Sequence, residues 1–274
     1  MPELPEVETI TVALKKSLVG RKIVKLDVFS PKMREPLTPL LDADIVGRSI
    51  YDVRRRGRYT IIELDNLGAI LMHYGMSGVV RIEGAEIPKR KHEHIFFYLD
   101  NGEVLKFECP RRFSLVKYCR LQVSGGEPTE LEKLGVEPLE VEFNKEYLFA
   151  KSRKASGNVK TFIMNNEVVV GVGNIYVAES LYYAGVNPLR NPKTLTIDEC
   201  GKIVENIKII LKKAIASGGS TISDYRHVDG SEGKFARELQ MYGRTGENCL
   251  KCGSKIESCR IAGRSTFYCP NCQK

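Results

Sequence analysis

Apolar side chains fall at Leu4, Val7, Ile10, Leu14 and Leu18, steps of three and four that predict an amphipathic helix ended by Gly20. The period then shortens. Ile23–Phe29 alternates, Val46–Val53 resembles it, and short apolar runs follow at Tyr59–Leu64, Ala69–Met72, Ile95–Leu99, Val104–Phe107 and Leu115–Val123. Turn residues such as Asp100-Asn101-Gly102 separate them, which predicts an antiparallel sandwich or barrel. Beyond Ser124–Thr129, the best linker, helical spacing returns over Lys145–Ser152, Asn158–Met164, Tyr176–Ala184 and Ile197–Ala216. Thr196 followed by Glu199 is a helix-start pattern. A glycine-rich stretch, Ser217–Thr221, closes the last long helix, and a polar, irregular loop runs on to Arg237. The expected fold is multidomain α and β. It comprises an N-terminal β-sandwich with flanking helices over residues 1–123, a linker over 124–139, a helical domain over 140–236 and a cysteine module over 237–274.

Composition narrows this. The 274 residues are 42% hydrophobic and 28% charged, the mixture of a water-soluble globular chain. No run of 18 apolar residues exists, and the first residues lack the layout of a signal peptide, so a cytoplasmic protein is expected. Lys and Arg number 42 against 34 acids, a net charge of +8 that favours a polyanionic partner. Eight cysteines are out of place as a disulfide framework in the cytosol. Cys109, Cys119 and Cys200 are scattered and read as buried thiols. Cys249, Cys252, Cys269 and Cys272 instead make two C-x-x-C pairs, the spacing of a closed tetrahedral zinc site with a structural role. Cys259 lies between the pairs and belongs to neither. A hairpin between them would present Arg264 near its tip.

Candidate chemistry begins at the first residues, Met1-Pro2-Glu3-Leu4-Pro5-Glu6-Val7-Glu8. Trimming of Met1 would expose the secondary amine of Pro2. An α-amino group titrates near about 8, so a share of it is neutral at cellular pH and can attack a carbonyl-like carbon to form an imine. The same residues also suit an ordinary helix start, with proline and acids in the first turn. Gly171-Val172-Gly173-Asn174-Ile175-Tyr176 opens a helix with a glycine-rich turn suited to phosphate. Tyr176 stands where a dinucleotide fingerprint needs its third glycine, which excludes that motif. Basic clusters at Arg54–Arg58, Lys89–His92, Arg111-Arg112 and Arg153-Lys154 are interleaved with Tyr59, Phe96 and Phe113 and suit nucleic acid. The loops carrying Met76 and Phe113 each offer one bulky residue, as a base-flipping enzyme needs to fill an emptied stack.

These motifs, with Pro110-Arg111-Arg112-Phe113 and Leu134–Leu139, come in the order of the bacterial formamidopyrimidine-DNA glycosylases, which the chain resembles nearly end to end. Pro-Glu-Leu-Pro-Glu-Val resembles that branch more than the sister endonuclease VIII branch. The resemblance implies a β-sandwich, a helix–two-turn–helix domain and a zinc finger, with duplex DNA in the cleft between. It implies a bifunctional repair enzyme that excises 8-oxoguanine and formamidopyrimidines and then cuts the abasic strand by β,δ-elimination. The implied partner is double-stranded DNA with oxidised purines or abasic sites, met by a monomer away from membranes. Pro2 is the implied nucleophile and Glu3 the catalytic acid. Lys160 and Asn174 would contact phosphate, His92 and Arg111 would contact DNA, and Arg264 would serve δ-elimination. Met76, Arg111 and Phe113 would fill the vacated stack, and the loop from Ser217 to Arg237 would fold over the extruded base.

The chain departs from the family at several places. Arg58 stands where a lysine assigned to β-elimination is usual, Ala155 and Ser156 replace basic residues, and Cys109 replaces an aspartate. Arginine keeps its charge but donates protons poorly, its pKa lying above about 12. Three alternatives follow: a lyase-impaired protein that binds DNA damage, an endonuclease VIII-like enzyme for oxidised pyrimidines, and an unrelated zinc-ribbon module fused to a β-domain.

Overall fold

The computed structural model describes residues 1–30, 33–35, 44–222 and 225–274. They form two compact units, residues 1–132 with 217–234 and residues 133–216 with 235–274. No helix among the described residues is long and apolar enough to cross a membrane.

The first unit opens with α1 (Leu4–Leu18), and the predicted stripe is the buried one: Leu4, Val7, Ile10, Leu14 and Leu18 are all sealed from solvent. Each such side chain contributes roughly 1.5–3 kcal/mol by burial. Pro5 sits in the first turn, where its missing N–H costs no helical bond. Among the described residues, eight strands make two antiparallel sheets. One runs β1 (Ile23–Val28), β6 (Glu93–Leu99), β7 (Glu103–Glu108) and β5 (Val79–Gly84). The other runs β2 (Ile50–Arg56), β3 (Tyr59–Leu64), β4 (Gly68–His73) and β8 (Leu115–Arg120). The sandwich was legible in the period, but β5 was not. Its first two valines are buried and the rest half-buried, so it shows no clean alternation; pairing with β7 defines it.

α1 packs on β2 and β3, and a buried polar thread runs across the contact. Thr11 Oγ1 lies 2.8 Å from Thr60 Oγ1, which lies 2.8 Å from the hydroxyl of Tyr74. Burial pushes the Tyr74 phenol well above its ordinary value, and its ring stacks on Phe107. Tyr74 thus roots the turn that carries Met76 in the core.

Residues 217–234, grouped with the helices by sequence order, pack with the N-terminal unit instead. Tyr225 joins its apolar core, and the backbone N–H of Ser220 donates to Glu6 Oε1 at 2.7 Å. The Tyr225 hydroxyl donates to the carbonyl of Gly218 at 3.2 Å. Of the polar loop expected over Ser217–Arg237, Ser223 and Asp224 lie outside the described residues.

The second unit contains α2 (Lys145–Lys154), α3 (Val159–Ile163), α4 (Asn174–Ala184) and α5 (Ile197–Ala216). Asn144 and Asn158 cap α2 and α3, accepting from the N–H of Tyr147 at 2.9 Å and Thr161 at 3.0 Å. Thr196 and Glu199 form the expected reciprocal cap: Glu199 N–H donates to Thr196 Oγ1 and Thr196 N–H to Glu199 Oε2. β9 (Glu257–Ile261) and β10 (Arg264–Tyr268) form the hairpin of the cysteine module.

Candidate active site and nucleic-acid interface

In the first unit Pro2 and Glu3 are buried behind an exposed Met1. Glu6 holds them in place. Its Oε2 accepts the Glu3 N–H at 2.8 Å while its Oε1 takes Ser220, so one carboxylate links the helix start to the 217–234 loop. Sequence reasoning gave Glu6 no role. The acid three positions after Glu3 was the available signal, as half of a capping box.

Arg58 is the second residue of the two-residue turn joining β2 to β3, since Arg56 pairs with Tyr59. Gly57 precedes it at φ 56°, which such a turn needs and glycine tolerates. Beside it lies His73, whose ring stands 4.9 Å from that of Tyr59. Burial, with the charges of Arg58 and Arg34, holds the His73 imidazole neutral down to about 4. Its Nδ1 accepts the Gly75 N–H at 3.1 Å, so Nε2 carries the proton of the neutral ring.

Two loops meet next to these residues. One runs from Tyr74 to Gly78 and exposes Met76; the other, residues 109–114, exposes Arg111 and Phe113. Arg111 Nη1 stands 4.0 Å from the Met76 sulfur. Arg111 also lines a pocket of about 370 Å³ with Ser77, Arg81, Glu108, Pro110 and Arg226. The Ser77 hydroxyl is buried there with no hydrogen-bond partner. His92 is half-buried, and its carbonyl accepts the Cys109 N–H at 2.9 Å.

The basic runs divide. Arg54 pairs with Glu63, Arg55 with Glu8 and Arg56 with Glu127. Arg90 pairs with Glu83 and Glu93, and Arg153 donates to the carbonyls of Pro192 and Leu195. Much of the apparent nucleic-acid charge therefore stabilises the protein itself. A run of arginines in sequence cannot show which acids the fold brings to it.

In the second unit Lys160 is buried rather than presented. Its ammonium donates to the Ser265 carbonyl and to Thr266 Oγ1, each at 2.7 Å, and so grips β10 next to Arg264. Arg264 itself is exposed, just after the two-residue turn Ala262-Gly263. Asn174 is half-buried at the first position of α4.

The Sγ atoms of Cys249, Cys252, Cys269 and Cys272 all lie within 4.8 Å of one another. Cys249 and Cys272 are 3.9 Å apart and Cys252 and Cys269 3.5 Å. A tetrahedral zinc with Zn–S bonds of about 2.3 Å needs sulfurs about 3.8 Å apart, so the four thiols fit one ion. The Tyr182 hydroxyl lies 3.3 Å from Cys249 Sγ, a donor of the kind that orients a metal ligand. Cys259 lies on β9 opposite Thr266, outside this group.

Sequence signatures cover most of the chain: the formamidopyrimidine-DNA glycosylase N-terminal domain over residues 1–116, the H2TH domain of the same proteins over 134–226, and a zinc finger found in FPG and IleRS over 246–274. The chain belongs to the formamidopyrimidine-DNA glycosylase family. Formamidopyrimidine-DNA glycosylases of Haemophilus influenzae strain PittEE and Thioalkalivibrio sulfidiphilus are 46% and 42% identical to it, and each comparison spans 99% or more of both chains. Among solved structures, a Lactococcus lactis FPG point mutant in complex with DNA containing Fapy-dG superposes at a TM-score of 0.89 with 32% identity over all of both chains. MutM in complex with carbocyclic 8-oxo-G DNA superposes at 0.88, also at 32% identity over both full chains. End-to-end likeness of this kind removes the reading of an unrelated zinc-ribbon module. The three signatures also fix the fold class: β-sandwich, helix–two-turn–helix domain and zinc finger.

Proposed function

We propose that this glycosylase, a base-excision repair enzyme for oxidised purines, works through the N-terminal proline. With Met1 removed, the Pro2 nitrogen attacks C1′ of the damaged nucleotide and the bond from C1′ to the base breaks. The base leaves with a proton, and the sugar opens to a cationic imine on Pro2. That charge acidifies the C2′ proton; its removal expels the 3′ phosphate, and a second elimination expels the 5′ phosphate. Glu3 is the acid in this scheme and Arg264 serves the second elimination. His92, Asn174 and the Lys160-held hairpin engage the DNA backbone. Met76, Arg111 and Phe113 fill the stack, and the pocket at Ser77 and Arg226 receives the extruded base. The carrying observation is the buried Pro2-Glu3 pair, fixed through Glu6 to the 217–234 loop, in a chain of this family.

The thiol cluster holds one structural Zn²⁺ per chain in this reading, and a cytoplasmic monomer acts on double-stranded DNA carrying oxidised purines or abasic sites. The test is borohydride reduction on an 8-oxoguanine duplex. The Met1-processed protein forms a covalent adduct on Pro2, and Pro2→Gly, whose primary amine lacks the proline ring, forms far less and nicks weakly. Full nicking by Pro2→Gly would overturn the mechanism. A damage-binding protein with impaired lyase activity is the second reading, favoured by Arg58 alone; it predicts duplex binding without any adduct.

A further inference from the structure

The two loops that expose Met76 and Phe113 are more tightly joined than their separation in sequence suggests. Ser114, fully buried, donates from its Oγ to the Tyr74 carbonyl at 2.7 Å. A hydroxyl carries one proton, so the Cys109 thiol, 2.9 Å away, is the donor to Ser114 Oγ. The relay runs from Cys109 through Ser114 to Tyr74, from the base of one loop to the base of the other. The Tyr74 carbonyl also accepts the Gly78 N–H at 2.7 Å, which closes the Met76 turn on the same atom.

Backbone contact reinforces the relay. Gly75 has φ 59°, and a Cβ there would lie 2.6 Å from the Phe113 carbonyl oxygen and 2.9 Å from the Ser114 nitrogen. A Cβ on Gly78 would meet the Tyr74 carbonyl oxygen at 2.3 Å and Ser114 Oγ at 2.6 Å. The two loops therefore touch backbone to backbone, with the Ser114 hydroxyl packed at the junction. Moving one loop away from the other breaks a buried hydrogen bond or opens a gap at this junction.

We propose that Ser114, with Cys109 behind it, is a positioning residue that makes the Met76 turn and the Arg111–Phe113 loop one body. Met76, Arg111 and Phe113 then enter the vacated stack together rather than independently. The inference rests on the reading of those three side chains as stack fillers. In it, the sulfur at position 109 is the outer anchor of that coupling.

The experiment is a double-mutant cycle of Met76→Ala and Phe113→Ala, in otherwise unaltered protein and again with Ser114→Ala. Single-turnover base release and the fluorescence of 2-aminopurine beside the lesion are read together, with melting temperature and zinc content as controls. In unaltered protein the double variant should lose less than the product of the single losses, by about three- to tenfold. With Ser114→Ala the losses should multiply. Cys109→Ser, which keeps a donor, should preserve the coupling, and Cys109→Ala should weaken it. If neither Met76→Ala nor Phe113→Ala changes fluorescence or base release, the stack-filling reading falls and takes this proposal with it. If both matter but their effects multiply in unaltered protein, or the coupling survives Ser114→Ala, the role of Ser114 is overturned while stack filling stands.

Discussion

At position 58 the guanidinium keeps its positive charge at any working pH and yields no proton near neutrality. It is buried in the β2–β3 turn, and in the proposed scheme it would leave strand cleavage short of a proton donor. Arg58→Lys should therefore raise nicking roughly tenfold with base release unchanged, measured on the same duplex by separate product assays. Equal gains in both would remove the division of roles. His73 gives a second expectation. The folded protein keeps its ring neutral down to about 4, whereas an unfolded chain protonates it near 6.5. Unfolding thus takes up a proton between those values, and stability falls as pH drops through that window. The loss is on the order of 3 kcal/mol by pH 4. Denaturant titrations at pH 7 and 4.5 should show a smaller drop for His73→Gln than for the parent.

Among the elements, α4 links the helices of the second unit to the zinc finger. Glu179, buried on it, accepts the N–H groups of Gln240, Met241 and Tyr242 at 2.8–2.9 Å. Burial pushes its carboxyl upward, while those three donors and Arg244 pull it back. Removing it leaves three amides without their acceptor at the entry to the zinc finger. Glu179→Ala should cost on the order of 3 kcal/mol in denaturant unfolding, and a loss under about 0.5 kcal/mol would refute that role. The β9–β10 hairpin is fixed by Lys160 on one side and by the thiol cluster on the other. Chelation should therefore unfold the finger and abolish duplex binding, and restored zinc should recover both, followed by circular dichroism and gel shift.

For the whole molecule, a charge of +8 predicts DNA binding that weakens as salt rises. The slope should be shallower than a count of basic residues suggests, because Arg54, Arg55, Arg56 and Arg90 are already paired with acids. Arg111→Gln should lower the slope by about one, while Arg54→Gln should leave it unchanged and reduce thermal stability.

What could be read from the sequence was what depends on near neighbours. Helical periods found α1 and α5, alternation found most of the sandwich, and two C-x-x-C pairs found the thiol cluster. Each is set by residues a few positions apart, or by a ligand geometry that tolerates little variation. Motif order likewise carried the family. Only the tertiary structure decided the fate of those charged and polar groups whose partners lie far along the chain. Arg55 meets an acid 47 residues away and Arg56 one 71 away. Lys160 turns inward to a hairpin 105 residues on, and Glu6 reaches Ser220 across 214. No local pattern encodes such pairings: an arginine on a strand is equally suited to a phosphate and to a carboxylate. Chain packing brings the carboxylate first, and leaves Met76, Arg111 and Phe113 on the outside.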